Sequence, residues 1–220
     1  MRPELLDPVA DLVAPLLTSR RVMVGIVGAP GAGKSTLAAA LADRFARPRV
    51  PAGTEPAAAP DRAAVCVPMD GFHLSNVELA RLGLANRKGA PETFDAWGFV
   101  HLMRRIRAAD ELVYAPTFNR NLNESIGSAI PISPSVELVV VEGNYLLLPT
   151  DPWVRARPLF DLTVYIDVPD EVRVPRLVRR QRSRGLDRTA AHDWVNRSDE
   201  ANARLIATTR AAADVVLTRG

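Results

Sequence analysis

The chain has 220 residues, of which 47% are apolar, and a formal net charge of +3. This length and composition predict one domain with a substantial core and an inserted lobe. The single cysteine, Cys66, excludes an internal disulfide and a metal site built from several cysteines. The basic residues are scattered, apart from an arginine-rich stretch at 176–188, so we expect no nucleic acid as a partner.

The N-terminus is acidic as well as apolar. Glu4, Asp7 and Asp11 interrupt its apolar residues, so it lacks the basic start and the unbroken apolar run of a signal peptide. No later segment reaches the length of a membrane span. We therefore expect a cytoplasmic protein without a membrane partner.

The first half of the chain begins with an amphipathic helix. Residues 22–27 form a short apolar run that ends in glycines, which is typical of a buried parallel strand. Residues 34–46 contain strong helix formers and no breaker, so they predict a helix. Residues 48–61, rich in proline, alanine and glycine, predict a surface loop.

Four further apolar runs predict strands of the same sheet, at 63–68, 137–142, 162–168 and 215–218. Helical patterns at 95–109 and 189–212 separate them, and this alternation favours an α/β three-layer sandwich around a mostly parallel five-stranded sheet. Residues 112–135 interrupt the alternation and predict a small β insertion. Residues 1–220 then form one domain.

The segment GAPGAGKST has the spacing of a phosphate-binding P-loop, with a predicted strand before it and a helix after it. Its glycines let backbone N–H groups turn toward a phosphate, and the helix dipole adds positive potential. We expect Lys34 to bridge the β and γ phosphates and Ser35 to bind Mg²⁺. The predicted nucleotide-binding residues are Gly28, Ala29, Pro30, Gly31, Ala32, Gly33, Lys34, Ser35 and Thr36.

Carboxylates follow two of the predicted strands. Glu142 closes the run LVVVE, and Asp70 follows the strand at 63–68, so both are candidate metal ligands beside Ser35. Either residue could instead be a solvated loop acid. Asp167 also ends a strand, but the residues that follow it, VPDEV, suit the capping region of the arginine-rich helix, so we assign Asp167 a structural role.

Four motifs follow the P-loop in order: MDGFHL at 69–74, RKGAPETFD at 87–95, YAPTFNR at 114–120 and VEGNYLL at 141–147. Together they resemble the pantothenate kinase, uridine kinase and phosphoribulokinase group. The greatest likeness is to a bacterial branch described as fructose-transport-system kinases or nucleoside kinase-like proteins. The resemblance implies a P-loop kinase that uses ATP to phosphorylate a hydroxyl of a sugar, a pantothenate-like compound or a nucleoside.

The resemblance also implies roles for single residues. Asp70 matches the aspartate of the family's DGF motif, the base near the acceptor hydroxyl, and Glu142 matches a glutamate of the metal shell or acceptor site. The side chains implied to line the acceptor pocket are His73, Lys88, Tyr114, Phe118 and Arg120. His73 could instead have a local structural role, and we interpret Asp95 as a helix cap. Asn119 stands where relatives have an aspartate, which puts substrate preferences inferred from them in doubt.

Residues 170–188 predict a lid. Arg176 and Arg180 lie four residues apart on one helical face and match arginines of the family's lid helix, which bring guanidinium groups onto the transferring phosphate. Arg184 is a third candidate. A solvated basic helix or an RNA-binding patch is the alternative, but the stretch lacks the interleaved aromatic residues of a stacking platform. The resemblance places Asn202 and Arg210 near the adenine.

A nucleotide-dependent switch or chaperone is the alternative function. A switch GTPase would carry an NKxD motif after a strand, and the sequence has none, whereas the lid arginines and the acceptor-side acid favour a kinase. A binding-only relative is disfavoured because Lys34, Ser35, Asp70 and Glu142 are all present. We expect a small-molecule partner, and the sequence allows either a monomer or a homodimer.

Overall fold

The computed structural model describes residues 5–18, 20–46 and 63–218. The predicted loop at 48–61 lies outside the described residues. Among these residues the strands are β1 (Val22–Gly28), β2 (Ala64–Pro68), β3 (Val113–Asn119), β4 (Glu124–Ile132), β5 (Leu138–Glu142), β6 (Leu162–Asp167) and β7 (Val215–Thr218). The α-helices are α1 (Leu6–Val13), α2 (Lys34–Phe45), α3 (Asn76–Arg81), α4 (Ala96–Ala108), α5 (Asp170–Arg182), α6 (Arg188–Trp194) and α7 (Glu200–Ala207).

Five strands form one parallel sheet in the order β2-β5-β1-β6-β7. Every residue of β1 and β5 is buried, because helices cover both faces of the sheet. The sheet confirms the predicted strands to within one residue at each end. In its register Glu142 of β5 lies opposite Ile26 of β1 and Pro68 of β2, so the carboxyl ends of these strands share one edge.

The core has one layer on each side of the sheet. On one face, residues of α1 and α2 such as Val13 and Leu41 pack against β1 and β5. On the other face, Phe99 and Met103 of α4 pack with Tyr145 and the surrounding aromatic residues. This arrangement is the predicted three-layer sandwich.

A side-chain cap marks the start of α4 but not that of α5. The Asp95 side chain accepts a hydrogen bond from the Gly98 N–H at 2.8 Å, which confirms the interpretation of Asp95 as the cap of α4. Asp167 has the structural role expected of it, although it does not cap α5, which begins after Pro169 and has no side-chain cap. The Asp167 carboxylate instead accepts a hydrogen bond from Arg210 Nε at 2.9 Å, which links β6 to the turn before β7.

The predicted β insertion is an antiparallel hairpin of β3 and β4. It packs against a 3₁₀ turn at Met69–Phe72, where the backbones approach closely. A Cβ at Gly71 would lie 2.5 Å from the Pro116 carbonyl oxygen, so only glycine fits at this position. The hairpin is thereby held beside the carboxyl end of β2.

The predicted helix at 189–212 is divided. It consists of α6, a π-helical turn at Val195–Asp199, α7 and a 3₁₀ turn at Arg210–Ala212. The neighbouring α5 is attached to α7 by a bidentate ion pair in which Arg173 donates to both oxygens of Glu200 at 2.7 and 2.8 Å. None of the helices in the described ranges is long and apolar enough to span a bilayer.

Candidate active site

The P-loop lies between β1 and α2, where the chain turns through glycines with positive φ. Gly31 and Gly33 have φ values of 80° and 100°. Gly31 also lets α5 approach, because a Cβ there would lie 2.9 Å from the Arg173 carbonyl oxygen. The first turn of α5 therefore packs directly against the phosphate loop.

Lys34 is buried at the start of α2. Its Nζ donates hydrogen bonds to the carbonyl oxygens of Gly28 at 2.8 Å and Ala29 at 3.2 Å. Burial lowers the pKa of Lys34, while the negative charges of Glu142 and Asp70 raise it. The ammonium is thus held across the mouth of the loop, facing two carboxylates.

Ser35, Glu142 and Asp70 come together at the shared edge of the sheet. Ser35 Oγ donates a hydrogen bond to Glu142 Oε1 at 2.8 Å. The pKa of Glu142 is raised by burial and by the charge of Asp70. The described residues hold no group of three or more acidic, histidine or cysteine side chains able to bind a metal, but two carboxylates and a hydroxyl suit Mg²⁺, which completes its shell with waters and phosphates.

A cavity of about 890 Å³ lies in front of this edge, enclosed by the P-loop, α5, the segment around Asp199 and the hairpin turn. Its size is within the range of small-molecule sites. The sequence-predicted residues that line it are Pro30, Gly31, Ala32, Gly33, Lys34, Ser35, Thr36, Asp70, His73, Lys88, Phe118, Arg120, Glu142, Arg176, Arg180 and Asn202.

The helix α5 and the turn after it present three arginines to the cavity, Arg176, Arg180 and Arg184. Arg176 Nη1 donates to the Gly31 carbonyl at 3.3 Å, and Arg180 Nη2 lies 3.5 Å from Asp199 Oδ1. The pKa of Arg184 is lowered by burial and by the neighbouring arginines. This clustering of like charges favours an anionic ligand such as a polyphosphate.

His73 serves the local structure and also lines the cavity. Its Nδ1 lies 2.7 Å from the Asp70 carbonyl oxygen, and its ring stacks between Phe94 and Phe118 at centroid distances of 4.0 and 4.7 Å. Burial lowers the pKa of His73, although Asp70 opposes the shift. The imidazole forms part of an aromatic wall of the cavity.

Lys88 joins the RKGAP segment to the hairpin. Its Nζ donates to Asn76 Oδ1 and to the Asn123 carbonyl, both at 2.6 Å, and lies 5.4 Å from the centre of the Phe118 ring. On the same hairpin, Arg120 Nη2 approaches Asp70 Oδ2 at 3.5 Å. Both cations face the cavity, but each already has partners.

Five candidate site residues do not line the cavity: Gly28, Ala29, Tyr114, Asn119 and Arg210. Tyr114 is half exposed on β3. Arg210 is half exposed and paired with Asp167. The Asn119 side chain caps the hairpin turn by accepting hydrogen bonds from two backbone N–H groups. The departure from the relatives' aspartate therefore lies at the turn and not in the lining of the cavity.

Asn202 lines the cavity and contacts the RKGAP segment. Its Nδ2 donates to the Gly89 carbonyl at 3.1 Å, beside Lys88. This contact places it next to the RKGAP segment, whereas the resemblance implied an approach to the adenine.

The sequence profile of the phosphoribulokinase / uridine kinase family matches residues 23–220. The chain belongs to this family. It is a small-molecule kinase of the P-loop type, as the resemblance of its motifs implied.

The kinase is 34% identical over 211 residues to a Schizosaccharomyces pombe protein named "Putative uridine kinase C227.14", with 90% of this chain and 83% of that protein covered. A solved structure from Silicibacter sp. TM1040, described as a "putative fructose transport system kinase", has 36% identity and a TM-score of 0.81, with 96% of this chain and 98% of that one covered. A pantothenate kinase of Limosilactobacillus fermentum is 32% identical over 153 residues. The matched part covers 68% of this chain and 47% of that enzyme.

Sequence reasoning missed several polar residues of the kinase's cavity. Asn76, Asn144 and Asp199 line it, and none was singled out. Asparagines on loops follow no periodic pattern that would mark them as site residues. Asp199 breaks such a pattern, because it follows Ala191 and Val195 at four-residue intervals on the buried side of the helical pattern, where an apolar residue is expected.

Proposed function

We propose that this kinase binds ATP with Mg²⁺ at the P-loop and transfers the γ-phosphate to a hydroxyl of a small metabolite held between the hairpin and the lid. One observation carries the proposal. Asp70 lies in the same cavity as Lys34 and Glu142, with the hairpin on one side and the lid arginines on the other. A phosphate donor and an alcohol acceptor would meet there.

The donor half is formed by the P-loop and the lid. Backbone N–H groups of residues 28–36 and the Lys34 ammonium would bind the phosphates, and Arg176 and Arg180 would neutralise charge on the group in transfer. Ser35, Glu142 and Asp70 would hold Mg²⁺, which when bound draws charge from the β and γ phosphates. The approach of Asp70 and Glu142 supports this role, since a cation would relieve their repulsion.

The acceptor half is formed by Asp70 and the hairpin. Asp70 would accept the hydroxyl proton while the acceptor oxygen bonds to the γ-phosphorus and the bond from that phosphorus to the β–γ bridging oxygen breaks. Arg120, only loosely paired with Asp70 at 3.5 Å, can release the carboxylate to the acceptor. His73, Lys88 and Phe118 would form the wall against which the acceptor lies.

The acceptor class is a sugar, a nucleoside or a pantothenate-like compound. Relatives named as uridine and pantothenate kinases support the last two classes. A coupled assay of ADP release over ribose, fructose, uridine, pantothenate and glycerate would identify the class. ADP release that no acceptor increases would favour the switch or chaperone.

Asp70→Asn tests the mechanism directly. We expect phosphoryl transfer to fall at least about a hundredfold while the affinity for ATP itself changes little, since the variant loses the base and one proposed metal ligand but keeps the phosphate-binding groups. Asp110→Asn, at an exposed position away from the cavity, is the matched control and should behave as wild type. Unchanged turnover in Asp70→Asn would remove Asp70 from the mechanism.

A further inference from the structure

Asp199 is a carboxylate in a position that the helical pattern assigns to the core. It is 7% exposed, and it continues the buried stripe of Ala191 and Val195. Burying a charged group costs free energy unless the group is well paired. A departure of this kind from an otherwise regular pattern is expected at functional sites.

The structural contacts of Asp199 do not compensate for its burial. It precedes α7 but makes no capping hydrogen bond, and its Oδ2 is buried without a hydrogen-bond partner among the described residues. Its Oδ1 meets Arg180 only at 3.5 Å, and Arg180 Nε is likewise unpartnered. Burial raises the pKa of Asp199, and Arg180, a hydrogen bond from the Gln181 side chain and the charge of Arg184 only partly oppose this shift.

The attachment of the lid does not explain Asp199 either. The adjacent Glu200 already joins α7 to α5 through its bidentate pair with Arg173. Asp199 lies instead at the end of the π-helical turn, a distortion that is frequent at functional sites, and it lines the cavity. The helix therefore separates a structural acid, Glu200, from a cavity-facing acid, Asp199.

The position of Asp199 points to the acceptor half. Asn202, one turn later on the same face, donates to the Gly89 carbonyl in the RKGAP segment. A carboxylate at this point would repel phosphates but accept hydrogen bonds from hydroxyls. The cavity also contains neutral amides, which offer a donor and an acceptor each and so suit a polyhydroxylated molecule; they are Asn76, Asn121, Asn123, Asn144 and Asn202.

We propose that Asp199 is a specificity-determining residue of the kinase, which accepts a hydrogen bond from a second hydroxyl of the acceptor while Asp70 serves the hydroxyl that is phosphorylated. This inference rests on the proposed function. When phosphates draw Arg180 toward the P-loop, both oxygens of Asp199 become available, and rotation about the Cβ–Cγ bond, which is soft for aspartate, turns them to the ligand. The acceptor is then a neutral polyol at this subsite, not an anion.

Asp199→Asn tests the inference in the ADP-release assay with ribose, fructose, uridine, pantothenate and glycerate. We expect the KM for the acceptor to rise at least about fivefold and the KM for ATP to stay within about twofold, because the variant replaces a charge-assisted hydrogen bond to the hydroxyl with a weaker neutral one. The melting temperature should not fall, since an unsatisfied buried charge is removed.

Glu200→Gln is the matched control, because it breaks a structural ion pair one residue away. It should lower the melting temperature and leave both KM values near those of wild type. An unchanged acceptor KM in Asp199→Asn, or an equal rise in the KM for ATP, would overturn the inference while leaving the proposed function standing. No transfer to any compound by the wild type would overturn both.

Analogues of the accepted compound that lack one hydroxyl each give a second measurement. The wild type should discriminate against one analogue at a hydroxyl other than the phosphorylated one, and Asp199→Ala should lose that discrimination. Equal discrimination by both proteins at every hydroxyl would overturn the inference.

Discussion

At the scale of single residues, Lys34 shows why a lysine persists in a chain whose other basic residues, apart from Lys88, are all arginines. Its ammonium lies between the carbonyl oxygens of Gly28 and Ala29, in a space closed by the P-loop backbone. A compact point charge fits between two converging carbonyls, whereas a planar guanidinium does not. The side chain can leave these carbonyls for a phosphate without losing burial.

We therefore expect Lys34→Arg to fail nearly as badly as Lys34→Ala. Both should weaken Mg²⁺-ATP binding at least about tenfold, because the charge-assisted contacts to the phosphates depend on the position of the ammonium. Titration with a non-hydrolysable ATP analogue by calorimetry measures this. Arg104→Lys, at an exposed site, is the control for the exchange itself. Normal ATP turnover in Lys34→Ala would refute the P-loop assignment.

At the scale of elements, the hairpin of β3 and β4 places the acceptor-side residues. Gly71 allows the backbone of the hairpin to lie against the turn that carries Asp70. Ser125 Oγ of the hairpin also donates a hydrogen bond to the His73 carbonyl at 2.9 Å. Arg120, near the hairpin turn, consequently reaches Asp70. The geometry of the acceptor site thus depends on a contact between two backbones that no side-chain pattern encodes.

Gly71→Ala should displace the hairpin. The added methyl group would lie 2.5 Å from the Pro116 carbonyl, so we expect a loss of about 1–3 kcal/mol in the free energy of unfolding and a larger effect on acceptor KM than on ATP binding. Gly127→Ala on β4 is the matched control, since its methyl group would meet no atom within 4 Å. Equal stability of the two variants in urea unfolding would contradict this account.

At the scale of the whole molecule, opposite ends of the sheet have different roles. The carboxyl ends of β1, β2 and β5 carry the site, while the other end is fastened by Asp161. Its carboxylate accepts two hydrogen bonds from Arg107, at 2.6 and 2.7 Å, and one from the Met23 N–H at 2.8 Å, and it pairs with Arg20 at 2.7 Å. Burial would raise the pKa of Asp161, but these bonds lower it to about 2.

Asp161→Asn should therefore reduce stability in a pH-dependent way. The folded carboxyl holds its charge down to about pH 2, whereas the unfolded one takes up a proton near pH 4, so the stabilisation is present above about pH 4 and is lost as the pH falls toward 2. At pH 7 we expect the free energy of unfolding of the variant to be lower than that of the wild type by on the order of 2 kcal/mol. This difference should shrink toward pH 2. Urea unfolding at several pH values, with Asp110→Asn as control, measures it. A deficit that is constant with pH would contradict the assigned cause.

The sequence by itself determined the elements and the chemistry of the phosphate end. Periodicity located the five strands of the sheet, and the P-loop spacing identified Lys34 and Ser35, because these signals are local in the chain. The family motifs identified Asp70 and Glu142, which the structure brings together. Asp70 lies just after β2 and Glu142 is the last residue of β5, so the ends of these strands position both carboxylates.

Only the tertiary structure decided which residues of the acceptor side meet. Packing of the hairpin left Tyr114 half exposed and turned the Asn119 side chain to its own backbone. The cavity position of Asp199 depends on how α5, the π turn and the RKGAP segment converge from distant parts of the chain. Long-range packing sets such contacts, and no local pattern records them.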